Sequence, residues 1–260
     1  MEHIMLPTKI LFEETGESNI GKTVITPCHQ GYGTTLGNAL RRVLLSSLPG
    51  AAVESVKIKG VQHEFSGITG VQEDMIEIIL NLKQLAVRLF SDEPVTLTLQ
   101  KKGVGSVTAG DFKKDASVEI MNPGLHIATI TDKQADFEME IIVGKGRGYV
   151  PVSEKQTRQL DLGTIAIDSL YTPIRDVGYT VEMTRLGDVT DYEKLTMTIE
   201  TNGTVTPKEA ISQATKILMD HFALILDAAG GELNEDIPEN VSTEEETAIA
   251  LHSDELGSDI

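Results

Sequence analysis

One stretch of the sequence matches, letter for letter, the pattern of a phosphate-binding loop. Residues 16–23 read GESNIGKT, which would place Lys22 on the phosphates and Thr23 on the magnesium ion of a nucleotide hydrolase. That chemistry needs a helix directly after the lysine, because the N–H groups at its N-terminus hold the phosphates. The residues that follow read VITP, three β-branched residues and a helix breaker. We therefore favour a hairpin turn and keep the nucleotide hydrolase as the alternative function.

Two further glycine-rich stretches could also be phosphate-binding or nucleotide-binding loops. Glycines 31, 33 and 37 approach a dinucleotide-binding fingerprint, but that pattern needs its last glycine at position 36, which is Leu36. A tight turn with close backbone packing fits this spacing better. Residues 144–148 read GKGRG, which fits either a phosphate contact or, as we favour, a loop crossing a β-rich region.

The other reactive side chains form no recognisable catalytic or metal-binding pattern. The six histidines show no pairing at ligand spacing, and the single cysteine, Cys28, has no partner for a metal or an internal disulfide. Carboxylates such as Glu73 and Asp74 suit the start of a helix, where the macrodipole favours negative charge. We predict no catalytic, cofactor-binding or metal-binding residue in this chain.

Composition predicts a soluble, cytoplasmic protein. No apolar run approaches the roughly 20 residues that span a bilayer, the first residues lack the pattern of a signal peptide, and a lone cysteine fits a reducing compartment. Residues 227–260 hold eleven acidic and no basic residues of a chain with net charge −18, which leaves 29 acidic against 22 basic residues in the body. Such a body is a poor free-standing DNA-binding protein.

A helix predicted within residues 31–47, with Thr34 or Thr35 as its cap, has two faces of different character. One face carries Leu36, Ala39, Leu40, Val43, Leu44 and Ser47, and the other carries Asn38, Arg41, Arg42 and Leu45. A solvated face would not need Leu45, and a core face would not tolerate two arginines. The pattern indicates a helix that meets two surfaces, the second of them a protein partner rather than a nucleic acid.

Other elements follow from periodicity and capping signals. Residues 9–14 and 22–26 predict a hairpin, residues 71–89 a helix with a capping box at Thr69 and Gln72, and residues 94–152 an antiparallel β region. A third helix is predicted from Pro207 to about residue 229, with Thr206 as the cap and Glu209 completing its capping box. Beyond residue 231 the acidic composition predicts a disordered tail or linker.

Four motifs resemble the alpha subunit of bacterial DNA-directed RNA polymerase: TLGNALRRVLLSS at 35–47, GVQEDMIEIILNLK at 70–83, GRGYVPV at 146–152 and ETNGTVTPKEAI at 200–211. The resemblance spans about residues 5–228. It implies an α+β fold in two parts, a discontinuous dimerisation domain of residues 1–48 and 173–230 and an inserted β-rich assembly domain of residues 49–172. An acidic disordered tail or linker, residues 231–260, would follow.

The resemblance also implies a function. The chain would be a non-catalytic scaffold of a nucleotidyltransferase complex, a homodimer that recruits the beta and beta-prime subunits, with the omega subunit as a further partner. It would contact DNA only indirectly, bind no membrane and work in the cytoplasm at the nucleoid. No cofactor would belong to this chain, while magnesium, and in some members zinc, would belong to the partner subunits.

The resemblance assigns residues to each interface. Contacts with beta would be Arg42, Leu45, Gln72, Glu73, Asp74 and Lys83. Contacts with beta-prime would be Asp168, Tyr171, Arg175 and Lys194. The dimer interface would use Leu36, Leu40, Leu44, Ile211, Ala214, Leu218, Phe222 and Ile225. Members usually carry, beyond an acidic linker, a small helical domain that contacts promoter DNA; this sequence ends at Ile260 within a linker-like segment, which leaves open whether the protein is naturally short.

Overall fold

The computed structural model describes residues 4–16, 18–155, 161–187, 189–231 and 242–246 of the chain. These residues divide into two compact units. Unit 1 combines the described residues of Met1–Leu45 with those of Ile174–Ile260, and unit 2 is formed by those of Ser46–Pro173. The fold is mixed and dominated by sheet. Unit 1 is therefore discontinuous in sequence, and unit 2 is inserted into it.

The described elements are as follows. The strands are β1 (Lys9–Glu14), β2 (Ile20–Cys28), β3 (Pro49–Ile58), β4 (Val87–Leu89), β5 (Val95–Lys102), β6 (Gly105–Thr108), β7 (Val118–Ile120), β8 (His126–Ile130), β9 (Asp136–Arg147), β10 (Tyr149–Val150), β11 (Thr164–Ala166), β12 (Ser169–Leu170), β13 (Ile174–Leu186), β14 (Val189–Thr201) and β15 (Ser242–Glu246). The helices are α1 (Tyr32–Ser46), α2 (Met75–Leu82) and α3 (Pro207–Ala228), with 3-10 turns at Ala109–Asp111 and Val152–Glu154.

Unit 1 is built on a five-stranded sheet in the order β13-β14-β2-β1-β15. The strands β1 and β2 form the predicted hairpin, in which Lys9 pairs with Thr26 and Glu14 with Gly21. Alternate residues of β14, Leu195, Met197 and Ile199, are fully buried, as expected for a strand with one covered face. The first two turns of α3 bury Ala210, Ile211 and Ala214.

The tail departs from the sequence prediction at one point. Strand β15 runs parallel to β1, with Lys9 opposite Ser242 and Glu13 opposite Glu246. The outer edge of a strand offers unpaired backbone N–H and C=O groups, and a segment can join it through backbone hydrogen bonds that composition does not encode. The rest of the predicted disordered tail, apart from Gly231, lies outside the described residues.

Unit 2 contains a six-stranded sheet in the order β5-β9-β3-β4-β7, with β11 paired to β3, and two small sheets, β6-β8 and β10-β12. Strand β9 pairs antiparallel with β5, as predicted for residues 94–152, and its other edge pairs antiparallel with β3. The core of this unit is apolar and closed, and its fully buried members include Ile78, Leu99, Ile127, Met139 and Ile141.

Helix α2 is shorter than predicted and starts later. Its cap is Asp74, which accepts the N–H of Glu77 at 2.8 Å, so the predicted cap at Thr69 is wrong. The preceding backbone is committed to β8, because the N–H of Gln72 donates to the carbonyl of Thr129 at 2.9 Å. After Leu82 the chain turns and forms β4, which pairs with β3 and β7. Tertiary pairing thus overrides the helical propensity of residues 87–89.

Within the residues that the structure describes, no helix is long and apolar enough to cross a membrane.

Candidate partner-binding surfaces

The phosphate-loop pattern lies at the turn between β1 and β2. Lys22 is in the middle of the hairpin, with its Nζ 3.4 Å from Oε2 of Glu13, and Thr23 is buried in β2. A strand follows the lysine where a phosphate site needs a helix N-terminus. The nucleotide-hydrolase alternative is therefore rejected, and the hairpin is confirmed.

The N-terminus of α1 is held by a carboxylate from a distant strand. The side chain of Glu193 in β14 accepts the N–H of Gly31 and the N–H of Gly33, each at 2.9 Å, and is only 7% exposed. These are donors that a helix leaves unpaired, and the macrodipole favours negative charge there. The position where a bound phosphate would lie is therefore filled by the protein. Burial, followed by the charge of Glu193, raises the pKa of the nearby Cys28 thiol.

The glycines of α1 serve close packing. A Cβ atom at Gly33 would lie 2.8 Å from Oε2 of Glu193, and one at Gly37 would lie 2.7 Å from Cδ2 of Tyr179. Gly31 has a φ of 84°, a conformation that side chains other than glycine rarely adopt. The predicted threonine cap is wrong, because the helix begins at Tyr32 and Thr35 donates its hydroxyl to the carbonyl of Gly31.

The two predicted faces of α1 are confirmed. Leu40 and Leu44 are buried, whereas Arg41 and Arg42 are exposed. Leu45 lies on the arginine face and is 38% exposed. Unit 1 thus offers two cations beside an apolar side chain, all on one rigid helix.

Helix α3 begins as the sequence predicts and ends as an apolar surface. Thr206 and Glu209 form the capping box, and Pro207 is the first helical residue. Its last three turns leave four large apolar side chains well exposed, namely Met219, Phe222, Leu224 and Ile225. A solvated helix would place polar residues at these positions.

A polar cluster in unit 2 joins α2 to the segment after β11. Lys83 Nζ lies 2.9 Å from Oδ2 of Asp168, whose Oδ1 accepts the N–H of Val152 at 2.9 Å. The exposed side chain of Tyr149 lies close to Asp168. The Val152 N–H and then the Lys83 ammonium hold the pKa of Asp168 below its usual range.

The first four residues of the GKGRG motif lie within β9, and only Gly148 follows the strand, which corrects the predicted loop. Its glycines leave room for side chains that lie flat on the strand: the ring of Tyr171 would meet a Cβ atom at Gly146 at 2.6 Å, and the carboxylate of Glu54 occupies the space beside Gly144. Lys145 of the motif pairs with Asp92 at 2.7 Å. Gly144 and Gly146 therefore allow close packing within unit 2.

Known proteins resemble this chain both in unit 2 alone and over most of its length. Residues 56–172, within unit 2, match the family model of the RNA polymerase Rpb3/RpoA insert domain. A DNA-directed RNA polymerase subunit alpha of Symbiobacterium thermophilum is 54% identical over 226 residues, 87% of this chain and 70% of the relative. The same subunit of Alkaliphilus metalliredigens is 50% identical over 220 residues, and that of Oenococcus oeni 52% over 222 residues, each alignment covering 85% of this chain and 70% of the relative. The chain belongs to the family of DNA-directed RNA polymerase alpha subunits.

The predicted beta contacts of this alpha-family chain fall into two groups. Arg42 and Leu45 lie exposed on α1 of unit 1, while Gln72, Glu73, Asp74 and Lys83 flank α2 of unit 2. Both carboxylates of the second group form hydrogen bonds within unit 2. Glu73 accepts the Thr129 N–H at 2.6 Å and bonds His126 Nε2 at 2.8 Å, and Asp74 caps the helix. The sequence prediction does not include the exposed apolar pair Ile76 and Leu80 on α2, although their four-residue spacing places them on one face of the helix.

The predicted beta-prime contacts also divide. Asp168 and Tyr171 lie in unit 2, and Tyr171 is 5% exposed, donating its hydroxyl to Oε1 of Glu54 at 2.6 Å. Burial, followed by that hydrogen bond, raises the pKa of Tyr171 to about 12. Arg175 and Lys194 lie in unit 1 and pair with Glu200 and Glu182 across the β13-β14 hairpin.

The predicted dimer residues of this alpha-family chain differ in exposure. Leu40, Leu44, Ile211 and Ala214 are buried within the single chain, and Leu36 and Leu218 are partly buried. Phe222 and Ile225 are 61% and 64% exposed. Among the described residues, no group of three or more His, Cys, Asp or Glu side chains is placed to hold a metal ion.

Proposed function

We propose that this alpha-family chain is the non-catalytic assembly scaffold of the polymerase: it homodimerises and recruits the beta and beta-prime subunits, with omega as a further partner. The exposed end of α3 carries the proposal. Phe222, Ile225 and their neighbours form an apolar surface, and such surfaces on soluble proteins mark interaction sites. Burying four large side chains of this kind would contribute roughly 1.5–3 kcal/mol each.

A second copy of the chain is the simplest partner for this surface. A two-fold axis brings the same helix from both copies together, so one apolar surface covers the other. The division of the chain at Leu45 and Ile174 supports this role, because it leaves both α1 and α3 in the same compact unit. The two copies would then present identical surfaces to two different large subunits.

We assign the Arg42 and Leu45 face of α1 to beta. An arginine supplies directional hydrogen bonds and an adjacent leucine supplies apolar contact, a combination common in protein interfaces. The residues near α2 and Lys83 form the second beta contact in this proposal, and Arg175 and Lys194 the beta-prime contact. The magnesium, and the zinc of some members, belong to the partner subunits. DNA contact is indirect, and the site of action is the cytoplasm.

The experiment compares two exposed arginines of unit 1 by capture of purified beta subunit on the immobilised chain. Arg42→Ala should weaken capture about tenfold or more, as expected for an interface arginine, without changing the sedimentation coefficient of the chain. Arg185→Ala, at an exposed arginine of the same unit outside α1, is the control and should bind beta nearly as the wild type does. Equal capture by the wild type and by Arg42→Ala would contradict the assignment.

A further inference from the structure

A partly buried lysine ammonium is held by three oxygen acceptors within unit 2. Lys155 ends the 3-10 turn Val152–Glu154, and its Nζ donates to Oγ of Ser169 at 2.6 Å, to the carbonyl of Glu54 at 3.2 Å and to the carbonyl of Ile167. All three of these acceptors are uncharged. The ammonium therefore exchanges part of its water for a cage of neutral oxygens, and desolvation lowers the pKa of Lys155 more than the nearby charges of Glu54 and Asp168 raise it.

A second layer of hydrogen bonds fastens the cage to the sheet. Ser169 is buried and donates its hydroxyl to the carbonyl of Val53 at 2.8 Å, and the backbone N–H of Ile167 donates to the carbonyl of Glu54 at 2.9 Å. These carbonyls lie where the register of β3 shifts between Val53 and Ser55. A bulge at that position turns carbonyl groups away from the ladder and makes them available to other partners.

The cage fixes the two neighbours of Asp168 in sequence. Lys155 bonds the carbonyl of Ile167 and the hydroxyl of Ser169, so the residue between them has little freedom. Successive side chains of an extended segment point to opposite sides. Ser169 accordingly points into unit 2, while the carboxylate of Asp168 points to Lys83 and the N–H of Val152.

On the side of the cage that faces solvent, these contacts form a small surface with both charged and apolar side chains. It contains the Lys83–Asp168 ion pair together with the exposed side chains of Tyr149 and Leu170. A partly exposed ion pair contributes little to stability by itself. An apolar and aromatic pair beside a fixed charge is the composition of a protein-binding surface.

We propose that Lys155 is a positioning residue for the binding of the beta subunit, holding Asp168, and through it Lys83, in one surface beside the exposed Tyr149. The inference rests on the proposed function and adds to it a residue that touches no partner. Lys155 fixes where the binding groups lie, and its removal changes their geometry.

The test measures the affinity of the full chain for purified beta subunit. Lys155→Met keeps much of the apolar stem and removes the ammonium, and we expect it to weaken binding about tenfold, the loss typical of one displaced contact in an interface. Lys155→Arg keeps a cation that reaches the same acceptors and should recover most of the affinity. Both variants should remain dimers, because Lys155 lies in unit 2.

A double variant separates positioning from general stability. If Lys155 acts through the Asp168–Lys83 pair, adding Lys83→Ala to Lys155→Met should weaken binding little further, since both changes remove the same contact. Additive losses would overturn the inference, as would unchanged affinity in Lys155→Met. Hydrogen exchange should show faster exchange in residues 149–155 and 167–171 of Lys155→Met, with other segments unchanged.

Two further outcomes are distinguishable. If Lys155→Met does not fold, Ser169→Ala removes one acceptor of the cage, and we expect a smaller loss of affinity in the same direction; unchanged affinity there would overturn the inference. If the wild-type chain itself fails to bind beta, the proposed function has failed, and the positioning role fails with it. Wild-type binding that is equal to Lys155→Met binding contradicts the positioning role alone.

Discussion

The helices α1 and α2 are held at their N-termini by the same chemistry, supplied from very different distances along the chain. At α1 the carboxylate comes from Glu193, 160 residues from Gly33 in sequence. At α2 the carboxylates are those of Asp74, which accepts the N–H of Glu77, and of Glu77, which accepts the N–H of Asp74, both within three residues of the helix start. A local cap belongs to the same chain segment as its helix and needs no contact with a distant strand. The remote one makes the orientation of the Arg42 and Leu45 face depend on an intact β14.

This difference predicts an order of effects, the largest at Glu193. Glu193→Ala leaves two N–H groups at the start of α1 without their acceptor, and we expect the free energy of unfolding to fall by about 3 kcal/mol. Urea denaturation measures it. Glu193→Gln retains one acceptor oxygen and should lose roughly half as much. If Glu193→Ala were as stable as the wild type, the carboxylate would not anchor the helix.

A smaller effect on stability is expected at Glu73, which directly precedes the α2 cap and bonds His126 and Thr129 of β8. This effect depends on pH. Burial would raise the pKa of Glu73, but bonds from His126 and Thr129 outweigh burial and hold the pKa below the ordinary value of 4.5. The ionised group therefore stabilises the fold above that value, and the contribution is lost as the pH falls through the folded pKa. Glu73→Gln should lower the free energy of unfolding by about 1–2 kcal/mol at pH 7.

Acid titration of thermal stability checks the sign at Glu73. The difference in melting temperature between the wild type and Glu73→Gln should shrink as the pH falls below the ordinary carboxyl pKa of 4.5. A difference that grew below that pH would show that the protonated form of Glu73 is the stabilising one.

The smallest effect is expected at the local cap of α2. Asp74→Ala should cost about 1 kcal/mol, the usual loss for a helix cap. Thr69→Ala is the matched control, because Thr69 occupies the capping position that the sequence pattern suggests but lies outside the helix. Equal losses in the two variants, measured by denaturation, would remove the distinction between them.

The sequence predicts those features whose causes are local. The start of α3 follows from Thr206, Pro207 and Glu209, and the hairpin follows from the residues after Lys22. Glu193 could not be found, because nothing near it in sequence reports that a helix N-terminus lies beside it. The helix predicted for residues 71–89 is longer than α2 because residues 87–89 pair with β3 and β7, and only the assembled sheet reveals that pairing.

The candidate surfaces also include some features that the sequence predicts and others that only the assembled fold reveals. The two faces of α1 follow from helical periodicity alone. Periodicity also gives the apolar stripe of α3, but it does not reveal that Ile211 is buried in the unit whereas Phe222 is exposed. The grouping of Asp168 with Lys83 required the fold, since the two residues are 85 positions apart.

The central claim, a homodimer formed through the exposed end of α3, is tested most directly by sedimentation equilibrium. The wild-type chain should sediment at twice its mass of 28.2 kDa at micromolar concentration. Phe222→Asp combined with Ile225→Asp should sediment as a monomer, because each aspartate would place a charge in the covered surface. Phe65→Asp, at an exposed apolar position in unit 2, is the control and should remain a dimer. A wild-type monomer, or a dimer that survives both substitutions on α3, would contradict the account.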